Sequence, residues 1–357
     1  MSYRKLIVGT DGSETAAVAE RTALRLAKAC DAELRIVSAF RAAGAPGGSS
    51  SGEAQEILAR AEEVAREEGV RASTEALEGE PADVIVDVAD RWPADLVVVG
   101  NKGMGRATRF RLGSVADRVA YFAPSDVLIV NTTRAVAAGS TRPVGPGELY
   151  RRILIGTDGS PTASEAAYRG FELAEILGGE VALVHVGDPV VGAIVLEQTA
   201  ERRPGRAKVG SRTVEGDPAE KICELAETEG LDLIVVGNKG MSGARRFLLG
   251  SIPNKVAHYS PTDVLIIKTV GRSIEELEPG RAGIVLAGSE RVAAYRDESG
   301  RILAFSPRCT HMGCTVGWNE TDRTWDCPCH GSRYTYQGDV IRGPAKRGLS
   351  KIDLTGP

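Results

Sequence analysis

Histidine and long apolar runs are scarce in this chain. Only four histidines occur in 357 residues. No apolar run approaches the roughly 18 residues needed to cross a bilayer, so no membrane association is expected. The net charge of −4 is close to balanced, and no dedicated nucleic-acid partner is expected. There is no G-x₄-G-K-[S/T] phosphate loop, and no residue stands out as a base for phosphoryl transfer. Nucleotide hydrolysis is therefore unsupported. Met1-Ser2-Tyr3-Arg4-Lys5 leads straight into an apolar strand pattern without a secretory leader, so the expected location is cytoplasmic. Cysteine is also scarce, with six residues in all.

That scarcity is uneven. Four of the six cysteines and two of the four histidines lie in Cys309-Thr310-His311-Met312-Gly313-Cys314 and Cys327-Pro328-Cys329-His330-Gly331-Ser332. Each half offers a thiolate and an imidazole. One chemistry for such a set is a [2Fe–2S] cluster with two Cys on one iron and two His on the other. A structural zinc site also takes Cys₂His₂, although zinc fingers usually space the first pair by two to four residues. Here one residue, Thr310, separates Cys309 from His311. Two ordinary disulfides would leave both histidines unexplained.

The stretch resembles the Rieske family, whose pattern is C-x-H followed by C-x-x-H. The resemblance implies a [2Fe–2S] cofactor, with Cys309 and Cys327 on one iron and His311 and His330 on the other. It implies a disulfide between Cys314 and Cys329, as in high-potential members, although cytoplasmic thiols are mostly kept reduced. Ser332 and Tyr334 match hydroxyls that donate hydrogen bonds to a bridging sulfur and a ligand sulfur. Such bonds favour the reduced cluster and raise its potential. Gly343-Pro344-Ala345 matches the proline loop that covers the cluster. Trp318 and Trp325 flank the segment between the loops and are read as core. Cys30 and Cys223 lie in helical patterns and are read as core cysteines.

The rest of the chain is a repeat. Leu6-Ile7-Val8-Gly9-Thr10-Asp11-Gly12-Ser13 recurs as Ile153-Leu154-Ile155-Gly156-Thr157-Asp158-Gly159-Ser160, and Asp95–Met104 recurs as Asp232–Met241. The second copy is ten residues shorter between its second strand and Glu215. The loss overlaps the Gly/Ser-rich loop and the helix near Glu53–Glu68. Short apolar runs at Lys5–Gly9, Glu33–Ala39, Asp95–Gly100 and Asp126–Asn131 are expected to be buried parallel strands. Helical patterns such as Glu14–Cys30 and Ala82–Arg91 lie between them. The expected fold class is α/β, with two doubly wound parallel-sheet domains plus a small all-β domain.

Gly100-x-x-Gly103, nine residues, then Gly113-Ser114 resembles the ATP-binding type of universal stress protein. Gly237-x-x-Gly240, nine residues, then Gly250-Ser251 repeats it. The resemblance implies that each loop wraps the phosphates of ATP or a related adenine nucleotide. Glycines allow backbone N–H groups to approach the phosphates, and a helix opening at Ser114 or Ser251 attracts anions. Asp11 and Asp158 end a first strand and would contact the ribose. Backbone at Ala39 and Val186 would meet the adenine edge, which the shorter second copy leaves more open. The plainer reading is that these glycines only make tight turns, and that Lys102 and Lys239 are solvated surface.

The expected organisation is a first α/β domain at 1–134, a linker at 135–150, a second α/β domain at 151–270, a linker at 271–282 and the Rieske domain at 283–357. The universal stress resemblance further implies pairing through the last strand, here within one chain as an intrachain pseudo-dimer, with a homodimer as the other possibility. The function expected is stress-linked adenine-nucleotide binding combined with one-electron transfer or redox sensing, with a redox partner the sequence does not name, rather than catalysis by this chain alone. The alternative is an electron-transfer component of an oxidoreductase system in which the tandem serves as a docking platform.

Overall fold

The structure, a computed structural model, describes residues 3–41, 49–102, 112–132, 149–238, 249–268, 274–277, 279–287, 290–311, 313, 315–319, 322–327 and 330–354. They separate into two compact units, one holding both α/β copies and the other the C-terminal segment.

In the first unit, strands β1 (Lys5–Gly9), β2 (Glu33–Phe40), β3 (Ala72–Glu78), β4 (Leu96–Gly100) and β5 (Asp126–Val130) form one half of a sheet. β6 (Arg152–Gly156), β7 (Glu180–Val186), β8 (Val209–Val214), β9 (Leu233–Gly237) and β10 (Asp263–Ile267) form the other. The strand order is β3-β2-β1-β4-β5-β10-β9-β6-β7-β8. Within each half the pairs are parallel, and the middle strands are buried throughout, as continuous apolar runs require.

Helices α1 (Glu14–Cys30), α2 (Ser51–Glu67), α5 (Pro161–Leu177) and α6 (Pro189–Glu201) cover one face. Helices α3 (Pro81–Arg91), α4 (Ser114–Phe122), α7 (Pro218–Thr228) and α8 (Ser251–Tyr259) cover the other. Local chemistry sets the starts. Ser13 and Ser160 cap α1 and α5 by accepting from Ala16 N at 3.1 Å and Ala163 N at 3.2 Å. Each follows a glycine at positive φ, Gly12 at 74° and Gly159 at 78°. A side chain there would be strained, which is why the Asp-Gly-Ser turn recurs.

The halves meet where β5 and β10 pair antiparallel, with Leu128 opposite Leu265, Val127 opposite Ile266 and Ile129 opposite Val264. Leu128 thus faces its own repeat equivalent, and the two flanking pairs exchange about a pseudo-twofold axis. Asp126 accepts from Lys268 N and Asp263 accepts from Asn131 N, both at 2.8 Å. Tyr3 Oη donates to Asp126 at 2.9 Å and Tyr150 Oη to Asp263 at 2.6 Å. The shortening of the second copy falls mainly between β7 and α6, where only Gly187 and Asp188 remain.

The C-terminal unit holds two antiparallel sheets. One is β11 (Ala282–Ala287), β12 (Glu290–Arg296) and β13 (Ile302–Phe305). The other is β14 (Gly317–Asn319), β15 (Thr324–Asp326), β16 (Arg333–Thr335) and β17 (Val340–Arg342). Trp325 and Tyr334 are opposite each other across β15 and β16 and fully buried. Trp318 packs edge-on against Trp325 at 4.9 Å between ring centroids. A single 3₁₀ turn at Ile274–Glu276 lies ahead of this unit's strands.

Candidate cluster centre and nucleotide edge

Two loops of the C-terminal unit converge. One joins β13 to β14 and the other β15 to β16. They are built alike: Gly313 N donates to Cys309 O at 2.8 Å, and Gly331 N donates to Cys327 O at 3.0 Å. Both glycines are left-handed, with φ of 77° and 74°, so each turn closes four residues after its cysteine. Backbone bonds close the loop bases, Val316 N to Pro307 O at 2.8 Å and Cys327 N to Ser332 O at 2.7 Å.

The four candidate ligands sort by burial. Cys309 and Cys327 are each 2% exposed, whereas His311 and His330 are exposed. The imidazoles lie 5.0 Å apart between ring centroids, nearly perpendicular at 81°. Among the described residues no three of His, Cys, Asp and Glu converge where one ion would sit. Two cysteines and two histidines are the set a two-iron cluster takes, one pair on each iron.

The hydroxyls nearby support that fit. Tyr334 Oη lies 3.0 Å from Cys309 Sγ and accepts from Thr310 N at 3.2 Å. With a lone pair engaged by Thr310 N, its proton is left to Cys309 Sγ or to Thr310 Oγ1 at 3.3 Å. Burial, then the bond to Cys309, pushes the Tyr334 hydroxyl up to about 12, so it remains a donor. Ser332 is fully buried, and its Oγ accepts from Ala345 N at 3.0 Å. Its own proton has no protein acceptor among the described residues, which suits a sulfur acceptor on the cluster side. Cys309, His311, Cys327 and His330 would hold the cluster, which supplies one-electron redox chemistry when bound. Cys314 and Cys329 lie outside the described residues.

Cys30 and Cys223 are elsewhere, in α1 and α7. Burial pushes both thiols up to about 11, which leaves little thiolate at neutral pH.

The nucleotide residues gather at the carboxyl edge of the large sheet. Asp11, Ala39 and Gly100 end or follow β1, β2 and β4, while Gly113 and Ser114 open α4. Asp158, Val186, Gly237, Gly250 and Ser251 are equivalently placed in the second copy. There Asp158, Val186 and Gly237 line one crevice, walled by Ile222 and Ile252. Gly103 and Gly240 lie outside the described residues. The N-caps of α4 and α8, Gly113 and Gly250, provide no side-chain cap, unlike Ser13, Ser160, Asp188 and Asp217. Their first-turn N–H groups are therefore left for another acceptor.

Some of the glycines serve packing as well. A Cβ on Gly237 would lie 2.8 Å from Thr162 O, and one on Gly113 would lie 3.2 Å from Asn101 O. Asp11 and Asp158 each spend one oxygen on the turn, accepting from Ser13 N and Ser160 N at 3.0 Å. Sequence reasoning did not find the crevice walls Ile222 and Ile252, or Thr310 and Ala345 beside the cluster loops. An apolar residue or a backbone N–H carries no signal of such a role.

The universal stress protein family profile matches residues 2–131, 149–197 and 191–268, and the Rieske [2Fe-2S] domain profile matches residues 269–353. A universal stress protein of Mycolicibacterium smegmatis is 29% identical over 74% of this chain and 96% of its own length. The Rieske 2Fe-2S iron-sulfur protein YhfW of Bacillus subtilis is 46% identical over 22% of this chain, but that match spans only 16% of the Bacillus protein. The crystal structure of a universal stress protein from Archaeoglobus fulgidus superposes with a TM-score of 0.56 at 21% identity, covering 74% of this chain and 98% of that one. Among the described residues no helix is long and apolar enough to cross a membrane.

Proposed function

This chain belongs to the universal stress protein family and ends in a Rieske [2Fe-2S] domain, and from that premise we propose that it binds adenine nucleotide in the tandem and exchanges single electrons at the C-terminal cluster as a stress-linked redox protein. Cys309 and Cys327 would hold one iron, and His311 and His330 the other. ATP or a related nucleotide is held at the carboxyl edges of both α/β halves. Asp11 and Asp158 act at the ribose, and the starts of α4 and α8 at the phosphates.

One observation carries the reading most: both thiols are in the core, both imidazoles are at the surface, and Tyr334 Oη is 3.0 Å from Cys309 Sγ. That sorting gives electrons an outlet at the histidine edge while the protein shields the sulfurs from water. A nucleotide that shifts the potential must, by linkage, bind the two redox states with different affinity. The experiment is anaerobic purification with iron and nucleotide assays, followed by a potentiometric EPR titration with and without ATP. A Rieske signal whose midpoint moves on adding ATP supports a coupled sensor. An unmoved midpoint with rapid exchange with reductases supports an electron carrier. Iron-free protein refutes the cluster reading.

A further inference from the structure

Three stretches meet at the end at which His311 and His330 are exposed, described at 307–311, 313, 315–316, 327, 330–332 and 343–349. They contain Arg308, Lys346 and Arg347, and neither Asp nor Glu. Two hydrogen bonds tie the third stretch to the other two. Ala345 N donates to Ser332 Oγ at 3.0 Å, and Thr310 Oγ donates to Arg347 O at 2.5 Å. Lys346 and Arg347 are thereby held beside both histidine loops. Both are exposed, and neither has an ion-pair partner among the described residues. Arg308 reaches along the first loop, its Nη1 4.0 Å from where a Cβ on Gly313 would lie.

The carboxylates beside these stretches offset part of this charge: Asp339 is exposed, its Cα 3.6 Å from where a Cβ on Gly348 would lie. Asp326 precedes Cys327, but Arg333 binds it at 3.0 Å and the Thr324 hydroxyl donates to it at 2.8 Å. Asp322 binds the same Arg333 at 2.9 Å. Elsewhere in the unit Arg301 is held by Asp297 at 3.3 Å. Positive charge from Lys346 and Arg347, neither ion-paired among the described residues, therefore lies beside the exposed imidazoles, although the whole chain is negative at −4.

We propose that this rim docks a one-electron redox protein whose own exchange site is ringed by Asp and Glu. The proposal rests on reading this end as the site of electron exchange. One electron moves in the docked pair and no atom does, so one protein is oxidised by what the other gains. Exposed ion pairs add little binding energy each. Their field instead steers the encounter, raising association rates by about 10- to 1000-fold in a manner that salt abolishes. Nucleic acid fits this surface less well, because the three stretches contain no Phe, Trp or Tyr on which bases could stack.

The test uses the full chain with its cluster. Lys346→Glu with Arg347→Glu is compared with Arg301→Glu with Lys351→Glu, which changes the net charge equally away from the three stretches. Stopped-flow oxidation of the reduced protein uses anionic hexacyanoferrate(III) and cationic tris(phenanthroline)cobalt(III) at low and high salt. Binding of fluorescein-labelled octaglutamate is read by anisotropy. The rim pair should slow the anionic oxidant by roughly tenfold at low salt, speed the cationic one and weaken octaglutamate binding. The control pair should do none of these. Equal effects of the two pairs, or none from the rim pair, would overturn the proposal. So would tighter binding of a thymidine oligonucleotide than of octaglutamate, lost in the rim pair. An absent [2Fe–2S] EPR signal in the parent would overturn the electron-exchange reading. A normal signal with rates insensitive to the rim pair would overturn the docking proposal alone.

Discussion

Asp126, at the start of β5, accepts a 2.8 Å hydrogen bond from the backbone N–H of Lys268, just past the end of β10. Asp263 does the same for Asn131, so each half of the sheet caps the closing strand of the other. Asp126 is 6% exposed, and burial pushes its carboxyl up to about 6, against the lowering effects of Lys268 N, Arg169 and Tyr3.

The sign of the pH effect follows. An unfolded Asp titrates near 4, so between about pH 4 and 6 the folded chain holds a proton that the unfolded chain has released. The stabilisation is complete below pH 4 and is lost as pH rises through 6. The difference is roughly 3 kcal/mol at most. Asp126→Asn removes the titration while its amide oxygen can still accept from Lys268 N. Relative to the parent, the variant should gain about 2 kcal/mol between pH 4.5 and 7.5. Denaturant melts at the two pH values measure this, and an unchanged difference would refute the buried-carboxylate account.

Cluster ligation can be separated from folding of the tandem. His311→Ala or Cys327→Ala should remove the [2Fe–2S] signal from visible and EPR spectra. The α/β unit has its own core and should retain its far-UV circular dichroism and thermal transition. Either variant keeping the full signal would show that the ligand set is wrong.

Much of this architecture could be read in advance from local patterns. Glu14–Cys30 is helical to the residue, because Ser13 is a side-chain cap and Asp31 a left-handed end. The repeat exposed the two halves, and the universal stress protein resemblance pointed to pairing through the last strand, Asp126–Asn131. The capping pairs were not legible, since Tyr3 and Asp126 are 123 residues apart and neither residue type announces its partner. At the cluster, the Rieske resemblance pointed to the two cysteine–histidine loops, which the structure brings together. The bond from Thr310 N that orients Tyr334 was not legible, because a backbone N–H has the same sequence signature everywhere.

The two proposed nucleotide sites should differ in affinity. Pro253 is the third residue of α8, where α4 has Ala116. Proline has no N–H, so the second site presents one donor fewer at its uncapped helix start. The first site should bind ATP more tightly in two-site calorimetry. Pro253→Ala should strengthen the second site by up to about tenfold, the scale of one hydrogen bond to a charged acceptor. Identical affinities, unaltered by the substitution, would mean that the helix start does not bind phosphate. Gly113→Val is the weaker probe, because its Cβ would crowd Asn101 O at 3.2 Å before any ligand arrived.

The potential of the cluster tests the two buried hydroxyls. Reduction adds negative charge to the sulfurs, so a hydrogen bond to sulfur strengthens on reduction and raises the potential. Tyr334 Oη lies 3.0 Å from Cys309 Sγ, with Thr310 N engaging a lone pair. Ser332 Oγ is fixed from behind by Ala345 N. A hydrogen bond to a charged group contributes about 1.5–3 kcal/mol, and for one electron 1.4 kcal/mol corresponds to about 59 mV. Only the part that changes with redox state counts, so roughly 100 mV bounds each hydroxyl. Tyr334→Phe and Ser332→Ala should each lower the potential by tens of millivolts without loss of iron. Tyr334→Phe also leaves Thr310 N without its acceptor, so part of its effect should be reduced stability of the first loop. Ser332→Ala removes the acceptor of Ala345 N and should loosen the 343–349 stretch in the same way. Protein-film voltammetry with iron analysis separates the two effects. A potential unmoved in both variants, with full iron content, would show that these hydroxyls do not bond to cluster sulfur.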